Sequence, residues 1–149
     1  MVRIERSALV LFSAEQMHAL VADIEAYPTF LPWCRASASR RLGPRQVEAT
    51  LQIEYRGVRQ RFTTQNETAD DLSIALKLVD GPFRSLDGLW SFTPLQRNVS
   101  RVLLVLNYQL ASGLLEHLIG PMFNHIAGTL VDAFVRRADT LANQAADAG

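Results

Sequence analysis

Hydrophobic positions in the first ten residues recur with a period of two: Val2, Ile4, Ala8 and Val10 share one side of an expected strand, interrupted by Arg6. Ser13 then offers an N-cap with Gln16 three residues later, and Phe12 and Met17 stand where a hydrophobic staple would close, so a helix is expected from Ala14. Met17, Leu20, Val21 and Ile24 keep the spacing of a buried helical stripe, which ends near Glu25. Tyr27-Pro28 and Leu31-Pro32 break that pattern, because a residue before proline is pushed out of the α region. A short helix or turn is expected there, carrying Tyr27, Phe30, Leu31 and Trp33.

From Arg35 to about Leu110 the period returns to two. Val47, Ala49, Leu51, Ile53 and Tyr55 alternate with polar residues, which predicts a strand with one buried face. After Gly57, Val58, Gln60, Phe62 and Thr64 form a second strand whose inner face is partly polar. Ala69-Asp70-Asp71 and Asp80-Gly81-Pro82 read as turns around a strand at Ile74, Leu76 and Leu78. Leu86, Gly88, Trp90 and Phe92 alternate up to Pro94, which should close their strand, and Val102 to Leu110 makes the last. From Gly113 the period becomes 3.6, with Leu114, Leu118, Met122, Ile126, Leu130, Phe134, Ala138 and Leu141 on one face. A helix over Pro121–Asn143 would be roughly 35 Å long. Gly120-Pro121 should kink or restart it, and the tail from about Ala145 should fray.

This order predicts an α+β architecture in one domain over residues 1–149: a curved antiparallel sheet of about six to seven strands around a long C-terminal helix, with one or two short helices after the first strand. A cylinder laid on a concave sheet meets it along a line, so apolar space beside the line is expected.

Composition narrows the chemistry. The 149 residues are 48% hydrophobic and 20% charged, with fifteen acids against fifteen bases, so net charge names no partner. The bases are lopsided, since all but Lys77 are arginine. One cysteine, Cys34, excludes an intramolecular disulfide and a cysteine zinc cluster and suits a reducing cytoplasm. No signal peptide is expected at the N-terminus. Neither uncharged run, Val102 to Leu115 or His117 to Val131, reaches the ~18 to 20 apolar residues of a spanning helix.

The segment Val21-Ala22-Asp23-Ile24-Glu25-Ala26-Tyr27-Pro28-Thr29-Phe30-Leu31-Pro32-Trp33-Cys34 closely resembles the signature of the coenzyme Q-binding family, which includes the bacterial ribosome-association toxins. Gly88 to Phe92, Val102 to Leu110, and Phe123-Asn124-His125-Ile126-Ala127 through Ala138 agree, so the resemblance covers about residues 2 to 140. That family sits in the START-like, polyketide cyclase-like superfamily of lipid-transfer proteins. The resemblance implies a helix-grip fold with a tunnel, and non-enzymatic binding of ubiquinone or a related polyprenyl lipid in support of cellular respiration. No other cofactor is implied, and the location is the cytoplasm, peripheral at the inner membrane. It equally implies a branch that binds a ribosomal subunit and blocks subunit association. DNA is not among the expected partners.

Phe30 and Trp33 could gate the tunnel; the alternative is that the prolines fix a helix-to-strand corner and these aromatics fill the end of the core. Leu51, Ile53, Tyr55, Phe62, Leu76, Leu78, Trp90, Leu104, Leu106, Tyr108, Phe123, Ile126 and Phe134 are the candidate lining. Gln60 and Thr64 fall on inner faces, where an unpaired amide or hydroxyl costs ~1 to 3 kcal/mol, so they and Tyr108 become candidates for contact with a ligand's polar end; neighbouring side chains or water are the competing partners. His125 is a further candidate, as a donor to a quinone carbonyl, with a surface or core-edge histidine as the favoured alternative. Arg35, Arg40, Arg41 and Arg45 could grip RNA phosphates or anionic lipid headgroups; the alternative is a solvated face answered by Glu48, Glu54 and Glu67. No catalytic residue and no metal site are expected: Cys34 lacks an electropositive setting, and His117 and His125 are poorly spaced to share a metal. A cyclase or hydrolase would need an inner acid or histidine, and strand parity puts no carboxylate inside.

Overall fold

Strand β1 (Val2–Val10) is followed by helix α1 (Ala14–Ala22) and a 3-10 turn (Ile24–Thr29). The meander then runs β2 (Cys34–Gly43), β3 (Gln46–Tyr55), β4 (Val58–Thr68), β5 (Ile74–Asp80), β6 (Phe83–Gln96) and β7 (Val99–Leu110), and ends in helix α2 (Gly113–Ala148). This computed structural model describes residues 1–148. All seven strands form one antiparallel sheet in the order β1-β7-β6-β5-β4-β3-β2. Each strand pairs with its sequence neighbour except β1, which closes on β7.

Local chemistry sets the element ends. Ser13 Oγ accepts from Gln16 N at 3.1 Å while Gln16 Oε1 accepts from Ser13 N at 2.8 Å, a reciprocal cap for α1. The β3–β4 connection is the pair Arg56-Gly57, with φ of 51° and 81°, as a two-residue hairpin requires. Gly81 turns the chain between β5 and β6 where a Cβ would meet Phe62 Cβ at 2.7 Å, so only glycine fits.

Four sequence expectations change. Strand β2 has no clean alternation, because it is an edge strand with most of its side chains in solvent. Strand β6 runs through Pro94 to Gln96: proline is tolerated there beside a register shift between Pro94 and Gln96. Helix α2 is assigned without interruption through Pro121, and it remains helical over Ala145–Ala148 where fraying was expected; Gly149 lies outside the described residues. By length and composition α2 also passes the spanning criterion that the uncharged runs fail. Even so, 44% of its most apolar window is buried within the fold.

Packing explains why the interior is hollow. Helix α2 lies along β1 and β7, α1 lies on β6 and β7, and the 3-10 turn packs on β2. The inner faces of β3, β4 and β5 have no helix backbone close over them. Leu51, Phe62, Leu76 and Leu106 have inward parity yet are only half-buried, because the space before them is empty.

Candidate functional site: an apolar cavity under helix α2

The cavity measures about 140 Å³. Strand register builds its floor in rows across the sheet. One row runs Leu104, Trp90, Ile74, Thr68, and the next runs Leu106, Gly88, Leu76, Asn66, Val47. Gly88 stands at the centre, where a Cβ would lie 2.8 Å from Leu106 Cδ1 and 3.3 Å from Leu76 Cδ1. Helix α2 supplies the roof with Phe123, Ile126, Ala127 and Leu130, and Val21, Ala22, Ile24 and Tyr27 add a side wall.

Two aromatic clusters contribute to the lining. Phe83 meets Phe123 at 4.8 Å, Phe62 at 5.8 Å and Tyr108 at 6.0 Å. Eleven residues along α2, about 16 Å on, Phe134 packs edge-on against Tyr27 at 5.3 Å and against Phe30 and Trp90 at 5.4 Å. Perpendicular rings suit the aromatic quadrupole and hold both ends stiffly. Ala22, Val47, Thr68 and Leu130 line the cavity while remaining exposed or half-exposed, so the mouth lies among them.

Of the residues expected to line the space, Trp33, Leu51, Ile53, Phe62, Thr64, Leu76, Trp90, Leu104, Leu106, Tyr108, Phe123 and Ile126 do so. The others stand off it. Phe134 is fully buried behind Trp90 and Tyr27, and Phe30 packs on it, half-buried, with the Arg137 guanidinium 5.2 Å above its ring. Leu78 leaves the floor because β5 and β6 part after the Lys77–Asp87 pair. Tyr55 lies at the β3–β4 hairpin tip and stacks on the exposed His125 at 5.1 Å, outside the cavity. Gln60 keeps inward parity but lies beyond the end of β5, in an open groove with Arg35, Gln52, Arg59 and Arg61.

Sequence reasoning missed Val47, Ala49, Asn66, Thr68, Ile74, Phe83, Leu86, Ala127, Leu130 and the α1 wall. Part of that signal was present. Asn66 and Thr68 continue the parity of Phe62 and Thr64, and Ala127 and Leu130 continue the helical spacing of Phe123 and Ile126.

The cavity's titratable chemistry is muted. No Asp, Glu, His, Cys, Lys or Arg lines it. The Tyr27 hydroxyl donates to Val21 O and that of Tyr108 to Asn124 Oδ1. Burial raises both phenols, Tyr108 to about 12. The buried Cys34 thiol is pushed up to about 11 by desolvation, only partly opposed by its bond to Ala36 O, so little thiolate forms at neutral pH. Among the described residues no group of three His, Cys, Asp or Glu is placed to hold a metal.

The arginines lie outside. Arg35 pairs with Glu54 at 3.4 Å, Arg40 with Glu48 at 3.4 Å, and Arg45 with Asp70. Arg59 shares Glu54 at 3.1 Å, and Arg41 donates to Pro44 O at 3.1 Å. Such exposed pairs contribute roughly 0 to 1 kcal/mol each, so they neutralise the face more than they stabilise it.

The family described as polyketide cyclase / dehydrase and lipid transport matches residues 10–135. The ribosome association toxin RatA of Vibrio cholerae is 42% identical over 138 residues, covering 93% of this chain and 96% of that protein. Coenzyme Q-binding protein COQ10 homolog B, mitochondrial, of Xenopus laevis is 26% identical over 131 residues, covering 85% of this chain and 54% of its own length. A START superfamily protein from Mycobacterium smegmatis superposes with a TM-score of 0.72 at 24% identity, over 93% of this chain and 98% of that one, a likeness of fold.

Proposed function

Because this chain belongs to the polyketide cyclase / dehydrase and lipid transport family, we propose that it is a non-enzymatic binding protein whose cavity holds the ring of ubiquinone or a related polyprenyl lipid, in support of respiratory electron transport. The observation that carries this reading is the cavity itself. At about 140 Å³ it is close to the ~150 Å³ dry cavity that takes up benzene, and well below the ~300 to 1,000 Å³ of drug-sized sites. It therefore suits a ring and not a ring with its whole tail, and a polyprenyl chain leaves by the mouth among Ala22, Val47, Thr68 and Leu130. The lining offers no carboxylate, imidazole, amine or thiol to turn a bound ring over, and its two phenols are raised by burial, which supports carriage over catalysis. A relative named as coenzyme Q-binding points the same way. Mass spectrometry of a lipid extract from protein purified out of its own host should find a co-purifying quinone. An extract without quinone, together with no uptake of added short-tailed ubiquinone, would refute the reading.

A second reading is favoured by the 42% identity to a protein named ribosome association toxin over nearly its full length. Here the protein binds a ribosomal subunit, located in the cytoplasm. Phosphate contacts release counterions, so sedimentation with subunits should weaken steeply between low and moderate salt. Changing Arg40 and Arg41 together to Glu should abolish it if the arginine face is the contact, and undiminished binding would place the contact elsewhere.

A further inference from the structure

We propose that Thr64, Asn66 and Thr68 of β4 form a hydrogen-bonding rail that selects a carbonyl-bearing ring over a plain hydrocarbon of the same shape. This rests on the cavity-binding reading above and names the ligand chemistry it selects. The three residues share the inward face of β4 and all line the cavity. Apart from them and the two indoles, the polar side-chain groups in the lining are the Tyr27 and Tyr108 hydroxyls, and those are occupied by Val21 O and Asn124 Oδ1.

The rail is biased towards donation. Thr64 Oγ1 donates to Asn66 Oδ1 at 2.7 Å, which fixes the amide and turns its nitrogen away from Thr64. Asn66 lies between Val47 on β3 and Leu76 on β5, which have no side-chain hydrogen-bonding atoms to offer it. Thr68 lies beside Ile74, equally unable to bond its hydroxyl. Two amide hydrogens and a hydroxyl are thus presented by one strand on an otherwise apolar floor. Polar atoms that meet no protein partner are costly unless a guest or water satisfies them. Asn66 and Thr68 are both half-exposed, so their free hydrogens reach water in the empty cavity; a guest with an acceptor oxygen at its rim replaces that water, whereas a hydrocarbon displaces it and offers no bond in return.

The test compares duroquinone with durene, the same tetramethylated ring without its two carbonyls. Duroquinone has no unsubstituted ring carbon for the Cys34 thiol to add to. Binding of both rings is read by calorimetric titration, which does not depend on the guest's ability to quench tryptophan. The wild-type protein should bind duroquinone about tenfold more tightly than durene, the scale of one or two net hydrogen bonds. Asn66→Leu should remove most of that preference, weakening duroquinone relative to durene about tenfold. Thr68→Val, nearly isosteric, should reduce it in the same direction and serves should Asn66→Leu fail to fold. Equal binding of the two rings by the wild type, or equal losses for both rings in the variants, overturns the rail while sparing the cavity. If neither ring binds the wild type, the cavity reading falls and the rail with it.

Discussion

His18 is half-buried with its Nε2 unpartnered and its ring edge-on to Phe92 at 5.7 Å. Desolvation lowers its pKa from the ordinary 6.5, since the charged form would lose water without gaining an acceptor. The unfolded chain therefore takes up this proton at a higher pH than the folded one. The stability the neutral ring allows is complete above about pH 6.5, is lost as pH falls below it, and levels off once the lowered folded value is passed. Urea midpoints of the wild type and His18→Phe should keep a constant separation above pH 7. Below pH 6.5 the wild type should fall faster, and parallel curves down to pH 5 would refute the assignment. Cys34 shows the same desolvation acting on an acid, with burial raising the thiol.

At the scale of the element, α1 is only nine residues long, too short to persist without its cap and its packing on β6 and β7. Ser13→Ala removes the acceptor for Gln16 N and, with it, half of the reciprocal pair. A loss of about 1 kcal/mol in chemical unfolding is expected. A change within error would mean that tertiary packing alone holds the helix. The β4 strand shows the opposite economy. Its polar inner residues weaken the local core, yet the flanking β3 and β5 backbones pair along it from Thr63 to Glu67. The ladder holds the strand on both sides, across a register shift between Thr63 and Thr64, while its side chains remain available to a guest.

For the whole molecule, the separation of α2 from β3–β5 decides what the protein can hold. Ala127 lines the cavity from the roof and is buried, so extra carbons there enter the empty space with helix propensity nearly unchanged. Ala127→Leu should weaken binding of short-tailed ubiquinone at least tenfold without lowering the thermal midpoint, since filling a void is tolerated where overpacking is not. Titration and a melting curve measure both. Unaltered affinity in a folded variant would show that the ring binds elsewhere.

The sequence by itself determined the order of elements, the α1 cap, the parity of β3 to β7 and the apolar stripe of α2, because each depends on neighbours within a few residues or on a period of two or 3.6. Nine of the expected lining positions, Leu51 to Tyr108, followed from strand parity, and Phe123 and Ile126 from the helical stripe. What only the tertiary structure decided is which inward residues face empty space and which face each other. Phe134 and Leu106 have equally inward periodicity, but one meets three rings and the other an open floor, because that depends on the distance between α2 and the curved sheet. The pairing of the arginines with Glu48, Glu54 and Asp70, and the stacking of His125 on Tyr55, were settled in the same way, by residues far apart in the chain meeting across strands and across the helix.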